Sequence, residues 1–174
     1  MKREKNTMRG FTLIELLIVI GLIAILAGVV FVALDPLTRF AAARNSRRAA
    51  DVSSILSAIR VHQVDNGGNY HANIAGLTDD TFYMIGTASG NPGCQNEPAG
   101  NMPVCATQAI LDSNCVDIVP LSTLGYLGVV PQSPNGSKSW SQANTGYYMS
   151  RNANNSVTVG ACEDEGLGAI KITR

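Results

Sequence analysis

The chain has no net charge at neutral pH, with 13 Lys and Arg against 13 Asp and Glu in 174 residues. It therefore lacks the basic excess that a nucleic-acid binder uses to hold phosphates, and no nucleic-acid partner is expected. It has only two histidines, His62 and His71. Neither has an acid or a cysteine at metal-ligand spacing, so both read as surface or packing residues. No Cys-x-x-Cys pair suggests a zinc ribbon. There is no nucleophile elbow and no phosphate-binding glycine loop. The sequence gives no sign of an enzyme, and no cofactor is expected.

Charge is also missing locally, and this absence is the informative one. Residues 11–34 form an apolar run of about 24 residues, enough to cross a bilayer at about 20 residues per span. Its single charge is Glu15. A carboxylate inside such a segment costs about 2.5–3.5 kcal/mol on insertion scales, so it is kept for a function. Lys2, Arg3, Lys5 and Arg9 precede the run, and Arg39, Arg44, Arg47 and Arg48 follow it. With positive charge at both ends, flanking charge alone does not orient the span. A secretory signal peptide has no use for Glu15, and small residues in cleavage-site spacing are missing near the end of the run. Ala41-Ala42-Ala43 has that spacing but lies beyond Pro36 and Arg39. A plain anchor explains the length and not Glu15 or the Gly10-Phe11 junction.

The stretch Arg9-Gly10-Phe11-Thr12-Leu13-Ile14-Glu15-Leu16-Leu17-Ile18-Val19-Ile20 combines a basic leader, a glycine, a phenylalanine, a glutamate and an unbroken apolar run. It resembles the processing and assembly signal of type IV pilins and pseudopilins. The resemblance implies cleavage between Gly10 and Phe11 by a membrane-embedded prepilin peptidase on the cytoplasmic side. It implies N-methylation of Phe11 and an N-terminus-inside orientation. It also implies that Glu15 of one subunit pairs with the Phe11 ammonium of a neighbour. An unpaired buried carboxylate is penalised and a paired one much less so, which draws subunits into register. Gly21 and Gly28 read either as ordinary membrane-helix glycines or as points of flexibility or close packing.

Pro36 marks a kink or short break after Asp35, which is itself able to cap the restarting helix. Apolar residues then recur at helical spacing: Leu37, Phe40 and Ala41, then Val52, Ile55, Leu56 and Ile59. Asn66-Gly67-Gly68 is a stop signal. The whole helix, from Thr12 to Asp65, would span roughly 80 Å at 1.5 Å per residue. The arginine-rich segment from Ala43 leading to Asp65-Asn66-Gly67-Gly68-Asn69-Tyr70 is similar to one in pilins and major pseudopilins, with Gly68 inserted and His71 where proline is usual. The arginines read either as a solvated face near lipid headgroups or as subunit contacts.

Residues 72–146 are rich in Gly, Asn, Ser, Thr and Pro and read as loops with short elements, including a short helix between Cys105 and Leu124. Leu127-Gly128-Val129-Val130-Pro131-Gln132-Ser133-Pro134-Asn135-Gly136 resembles the family's approach to its sheet. Strands are predicted at 146–151, 156–162 and 168–173, from the alternation of Val157 and Val159 with Thr158 and of Ile170 and Ile172 with Lys171. Asn152 to Asn155 is a turn. The four cysteines, Cys94, Cys105, Cys115 and Cys162, all follow the apolar run and suit two disulfides in an oxidising compartment. Four cysteines allow three pairings. Cys94 with Cys105, closing a Gly/Pro-rich loop, and Cys115 with Cys162 is the pairing favoured here. Glu163, Asp164 and Glu165 read as a solvated loop. Some pseudopilins bind calcium in their C-terminal loops, which gives the trio a second reading. Asn135-Gly136-Ser137 and Asn154-Asn155-Ser156 match a short glycosylation pattern.

The expected fold is α+β, with a long N-terminal helix packed on a small antiparallel sheet. The expected organisation is a leader at 1–10, a membrane and filament-core helix at 11–34, and a pilin-like head at 35–174 that includes the amphipathic half of the helix. The resemblance implies a structural subunit of a type IV pilus-like filament of identical or related pilins. Such a subunit sits in the cytoplasmic membrane before assembly, meets an inner-membrane assembly platform, and reaches the cell surface in the pilus. The alternative is a pseudopilin of a type II secretion system. A DNA-uptake subunit is a third reading, with Arg44, Arg47, Arg48 and Arg60 attracting phosphate.

Overall fold

The computed structural model describes residues 10–87, 94, 105, 107, 108, 110, 115–136, 138–166 and 168–174. These divide into two compact units, Met1–Phe40 and Ala41–Arg174. Residues 1–9 of the expected leader at 1–10, Ala109 in the predicted short helix and Ser137 in the glycosylation pattern lie outside the described residues.

In the first unit, α1 spans Leu13–Leu34 and has no buried residue. Its side chains are apolar all round, so no face distinguishes itself for packing on a polar surface. The helix ends where Asp35 takes a left-handed conformation, φ 38° and ψ 72°. Pro36 then occupies the first position of α2, Pro36–Asp65, where its missing N–H costs nothing. The Thr38 hydroxyl donates to Asp35 Oδ2 at 2.6 Å and completes the restart. The break expected after Asp35 is thus present, and it divides the helix into two separated by one residue.

In the second unit, α2 buries the predicted stripe completely: Val52 and Ile55 at 0 %, Leu56 at 2 % and Ile59 at 1 % exposure. Each such side chain stabilises by about 1.5–3 kcal/mol relative to exposure. The helix stops as predicted. Gly67 and Gly68 have φ of 65° and 91°, and the Gly68 N–H bonds back to Gln63 C=O at 2.8 Å. A short α3, Ala72–Ala75, follows, with His71 as its N-cap. Then come β1 (Tyr83–Met84), α4 (Val119–Thr123), β2 (Tyr147–Arg151), β3 (Val157–Ala161) and β4 (Lys171–Thr173). The strands form one antiparallel sheet in sequence order, β1-β2-β3-β4. This is the α+β, pilin-like fold. All three predicted strands are present, somewhat shorter than predicted. The short helix expected between Cys105 and Leu124 is α4. Neither β1 nor α3 was predicted.

Register decides which face each side chain takes, because alternate residues point to opposite sides. Tyr83, Ile85, Tyr147, Met149, Val157, Val159 and Ala161 join the core that α2 covers. Met84, Tyr148 and Cys162 point the other way, into a second cluster with Cys94, Cys105, Ile110 and Trp140. The central strands β2 and β3 are therefore buried on both sides, Thr158 included despite its polar character, while the edge strand β4 is largely exposed. Tyr148 pairs across the strands with Gly160 and lies over it. A Cβ on Gly160 would fall 2.4 Å from the Tyr148 ring, so the position admits only glycine.

Two disulfides staple the second face, and they correct the expected pairing. Cys94 joins Cys115 and Cys105 joins Cys162, with Cα atoms 5.2 and 4.3 Å apart. The physical reason is the register. Cys162 follows β3 directly on the outer face, where Cys105 packs beside it. Cys115 leads into Val116, which bridges to Ile85 next to β1 and carries Cys115 to the other end of the cluster. Sequence separations of 21 and 57 residues correspond to roughly 3 and 4 kcal/mol of loop-closure stabilisation.

The head is expected to stand alone. A chain starting at Leu37, exported to an oxidising compartment, should be soluble and monomeric by sedimentation and should melt cooperatively. Non-reduced peptide mapping should find Cys94–Cys115 and Cys105–Cys162. Aggregation of that chain with both disulfides formed would show that the membrane half is needed for the fold.

Candidate assembly site and the buried ion network of the head

Gly10 and Phe11 lie exposed ahead of α1, and Glu15 sits in its first turn. Thr12 is the N-cap. Its backbone N–H and its hydroxyl both donate to Glu15 Oε2, at 3.0 and 2.9 Å, and its oxygen accepts the Glu15 N–H at 3.3 Å. This is a reciprocal capping box, which satisfies two N–H groups that a helix start leaves open. The carboxylate also lies at the positive end of the helix dipole. No described residue donates to Glu15 Oε1. One oxygen is thus engaged by the chain itself, and the other is available to a cation. The Thr12-x-x-Glu15 spacing was the sequence signal for this box, and the reading of Glu15 as an unsatisfied membrane charge passed over it.

The arginines beyond the break do something that neither reading of them anticipated. Arg48 has no exposed surface. A guanidinium has five N–H donors, and here five acceptors meet them. Nε donates to Ser133 Oγ at 3.0 Å. Nη1 donates to Asn45 Oδ1 at 2.7 Å and Glu165 Oε1 at 2.6 Å. Nη2 donates to Pro134 C=O and Glu163 Oε2, each at 2.9 Å. Glu163 is 3 % exposed and also accepts the Trp140 indole N–H at 3.0 Å. Arg44 Nε donates to Glu165 Oε1 at 2.7 Å, while its Nη2 meets Oε2. Two guanidiniums face two carboxylates, so the cluster is neutral. The two hydrogen bonds from Arg44, and then the one from Arg48, hold the Glu165 carboxyl down to about 2.

Local backbone makes this approach possible. Glu165 adopts φ 49°, followed by Gly166 at 75°. A Cβ on Gly136 would sit 3.0 Å from Glu165 Oε1 and 3.1 Å from Arg48 Nη2. Asn45 Nδ2 reaches Asp164 C=O, tying the same loop to α2 a second time. One turn further on, Asp51 Oδ2 accepts the Tyr147 hydroxyl at 2.6 Å. Burial foremost, with Asp51 beside it, pushes that phenol up.

Three sequence readings change. The acidic trio is not a solvated loop, since two of its carboxylates, Glu163 and Glu165, are engaged by guanidiniums. Arg48 lies inside the head rather than on a solvated face, and Arg44 is half-buried against Glu165. The phosphate-attracting set of the DNA reading also dissolves. Arg44 and Arg48 are engaged, and Arg60 bonds Gln63 and stands over Tyr70. Arg47 alone of the four is exposed. The signal for Arg48 was its register, since 48, 52, 55, 59 and 62 fall on one helical stripe. His62 completes that stripe as a packing residue, 6 % exposed and edge-on to Tyr126 at 5.1 Å.

The capping box sits within a recognised signal. Residues 5–31 match the prokaryotic N-terminal methylation motif. That motif is the signal of type IV pilins and pseudopilins. It supports a structural subunit of that family, and in general terms it implies processing by prepilin peptidase and assembly into a filament. Comparison with curated proteins and with solved structures gives no match. The apolar α1 behind the motif fits membrane anchoring before assembly.

Truncating Arg48 removes from the interior the guanidinium that both Glu163 and Glu165 face. Arg48→Ala is expected to cost the head about 3–5 kcal/mol. Arg47→Ala, at an exposed position, is expected to cost less than about 1 kcal/mol. Denaturant unfolding at neutral pH compares them, and similar costs would contradict the network's role.

Proposed function

We propose that this chain is a structural subunit of a type IV pilus-like filament, without catalytic activity of its own. The observation that carries the reading is the methylation motif leading into an apolar helix whose one charge, Glu15, keeps an oxygen free. Prepilin peptidase cuts between Gly10 and Phe11, and Phe11 is N-methylated. Thr12 then becomes the second residue, and its N–H remains an amide, so the capping box survives the cut. Glu15 Oε1 accepts from the Phe11 ammonium of a neighbouring subunit, which offsets the cost of the carboxylate in an apolar medium. The N-terminus stays on the cytoplasmic side. An inner-membrane assembly platform extracts the subunits into a surface filament of identical or related pilins.

The alternative is a pseudopilin of a type II secretion system, which shares the motif and the helix. Two features of the head favour the pilus. It is stapled by two disulfides, and Arg48 and Arg44 hold the C-terminal loop in place of the calcium that some pseudopilins use.

Electron microscopy of cells with and without the gene tests the proposal. Long surface fibres that vanish with the gene are expected, and short periplasmic ones would favour the alternative. Glu15→Leu should insert in the membrane as well as the parent or better, yet lose fibres. Fibres at normal yield in that variant would defeat the pairing role of Glu15.

A further inference from the structure

We propose that the first turn of α2 is an interfacial anchor, with Leu37 and Phe40 seated at headgroup depth on a phospholipid surface and Arg39 bound to a lipid phosphate. The proposal rests on the membrane reading of α1 and is independent of filament assembly.

Three observations within the first unit lead to it. The first is chain continuity. Leu34 closes α1, and three residues of chain span at most about 10 Å, so Leu37 cannot leave the neighbourhood of the apolar boundary. The second is exposure. Leu37 is 78 % and Phe40 61 % exposed, and three residues apart on a helix they share a face. The apolar stripe further along α2 is buried, so these two side chains stand apart from it.

The third is the distribution of charge. The segment from Asp35 to Phe40 holds two charged side chains. The Asp35 carboxylate is turned onto its own helix start, where it accepts the Thr38 hydroxyl. Arg39 is exposed and makes no side-chain hydrogen bond or ion pair among the described residues. An arginine stem lies along apolar surface while its planar head reaches for a phosphate. Arg39 flanks Phe40 on the helix, which suits that arrangement. Amphipathic helices of this kind sit in the boundary between headgroups and acyl chains. The left-handed residue at Asp35 is what breaks the straight continuation of α1 at that boundary.

The test uses the full chain, one copy per lipid nanodisc, in phosphatidylcholine with and without phosphatidylglycerol. Phe40→Trp reports on the anchor and Ile23→Trp on the middle of α1. The native Trp140, 4 % exposed, is the blank. Phe40→Trp emission should shift to the blue and be quenched by lipids brominated near the glycerol, while Ile23→Trp is quenched by lipids brominated near the chain ends. Adding Arg39→Gln should reduce the Phe40→Trp quenching, most in discs containing phosphatidylglycerol. Water-like, unquenched Phe40→Trp emission beside a quenched Ile23→Trp would overturn the anchor. Burial of Phe40→Trp only in assembled fibres would assign this face to a second copy of the chain. Unchanged quenching with Arg39→Gln would remove the phosphate contact. An unquenched Ile23→Trp would bring down the membrane reading and the anchor together.

Discussion

A helix that is apolar on every side and carries a single carboxylate constrains everything else in this chain. None of the 22 residues of α1 is buried. An all-round apolar helix is unstable in water, which fits membrane anchoring. Glu15 adds the opposite demand, since neither lipid nor a neighbour's apolar side chains satisfy a carboxylate. The capping box with Thr12 meets half of that demand within the chain. The remaining oxygen accepts no hydrogen bond from a described residue, and the proposed filament assigns it to the ammonium of a second subunit.

The head has a core of its own. It is built in layers. The stripe from Val52 to His62 covers one face of the sheet, and on the other a second cluster gathers all four disulfide-bonded cysteines around Trp140 and Tyr148. At the start of that stripe the helix meets two loops rather than strands, and loops bring polar groups inward. Arg48 resolves the conflict by saturating all five of its donors there. Buried ion pairs contribute little net stability compared with apolar packing, yet losing one partner is costly. Such a cluster holds one loop arrangement strictly, which suits a subunit that must present the same surface in every copy.

Much of this was legible in the sequence because it is local. The break at Asp35 and Pro36, the stop at Gly67 and Gly68, the apolar stripe and the three long strands all rest on residue types at short spacing. The strand β1 was not legible, because two residues carry no alternation and Tyr83 and Met84 are strand only through their pairing with Met149 and Tyr148. The disulfide pairing depended on which face of the sheet each cysteine reached, a question of register over a distance of 57 residues for Cys105 and Cys162. Arg48 and Glu163 lie far apart in sequence, and charged residues were read as outward-facing by type. Position would have served better than type, since Arg48 shares the stripe of Val52 and Ile55. The capping box shows the reverse error, where a membrane reading of Glu15 obscured a four-residue pattern in plain view.

The identity of the first residue of the mature chain tests the central claim most directly. Intact mass and N-terminal sequencing of protein recovered from membranes should find N-methylated Phe11, with Gly10 and everything before it removed. A chain beginning at Met1, or at Arg44 after the alanine trio, would contradict the account. The first would leave Phe11 without an ammonium to offer Glu15, and the second would discard the helix on which assembly depends.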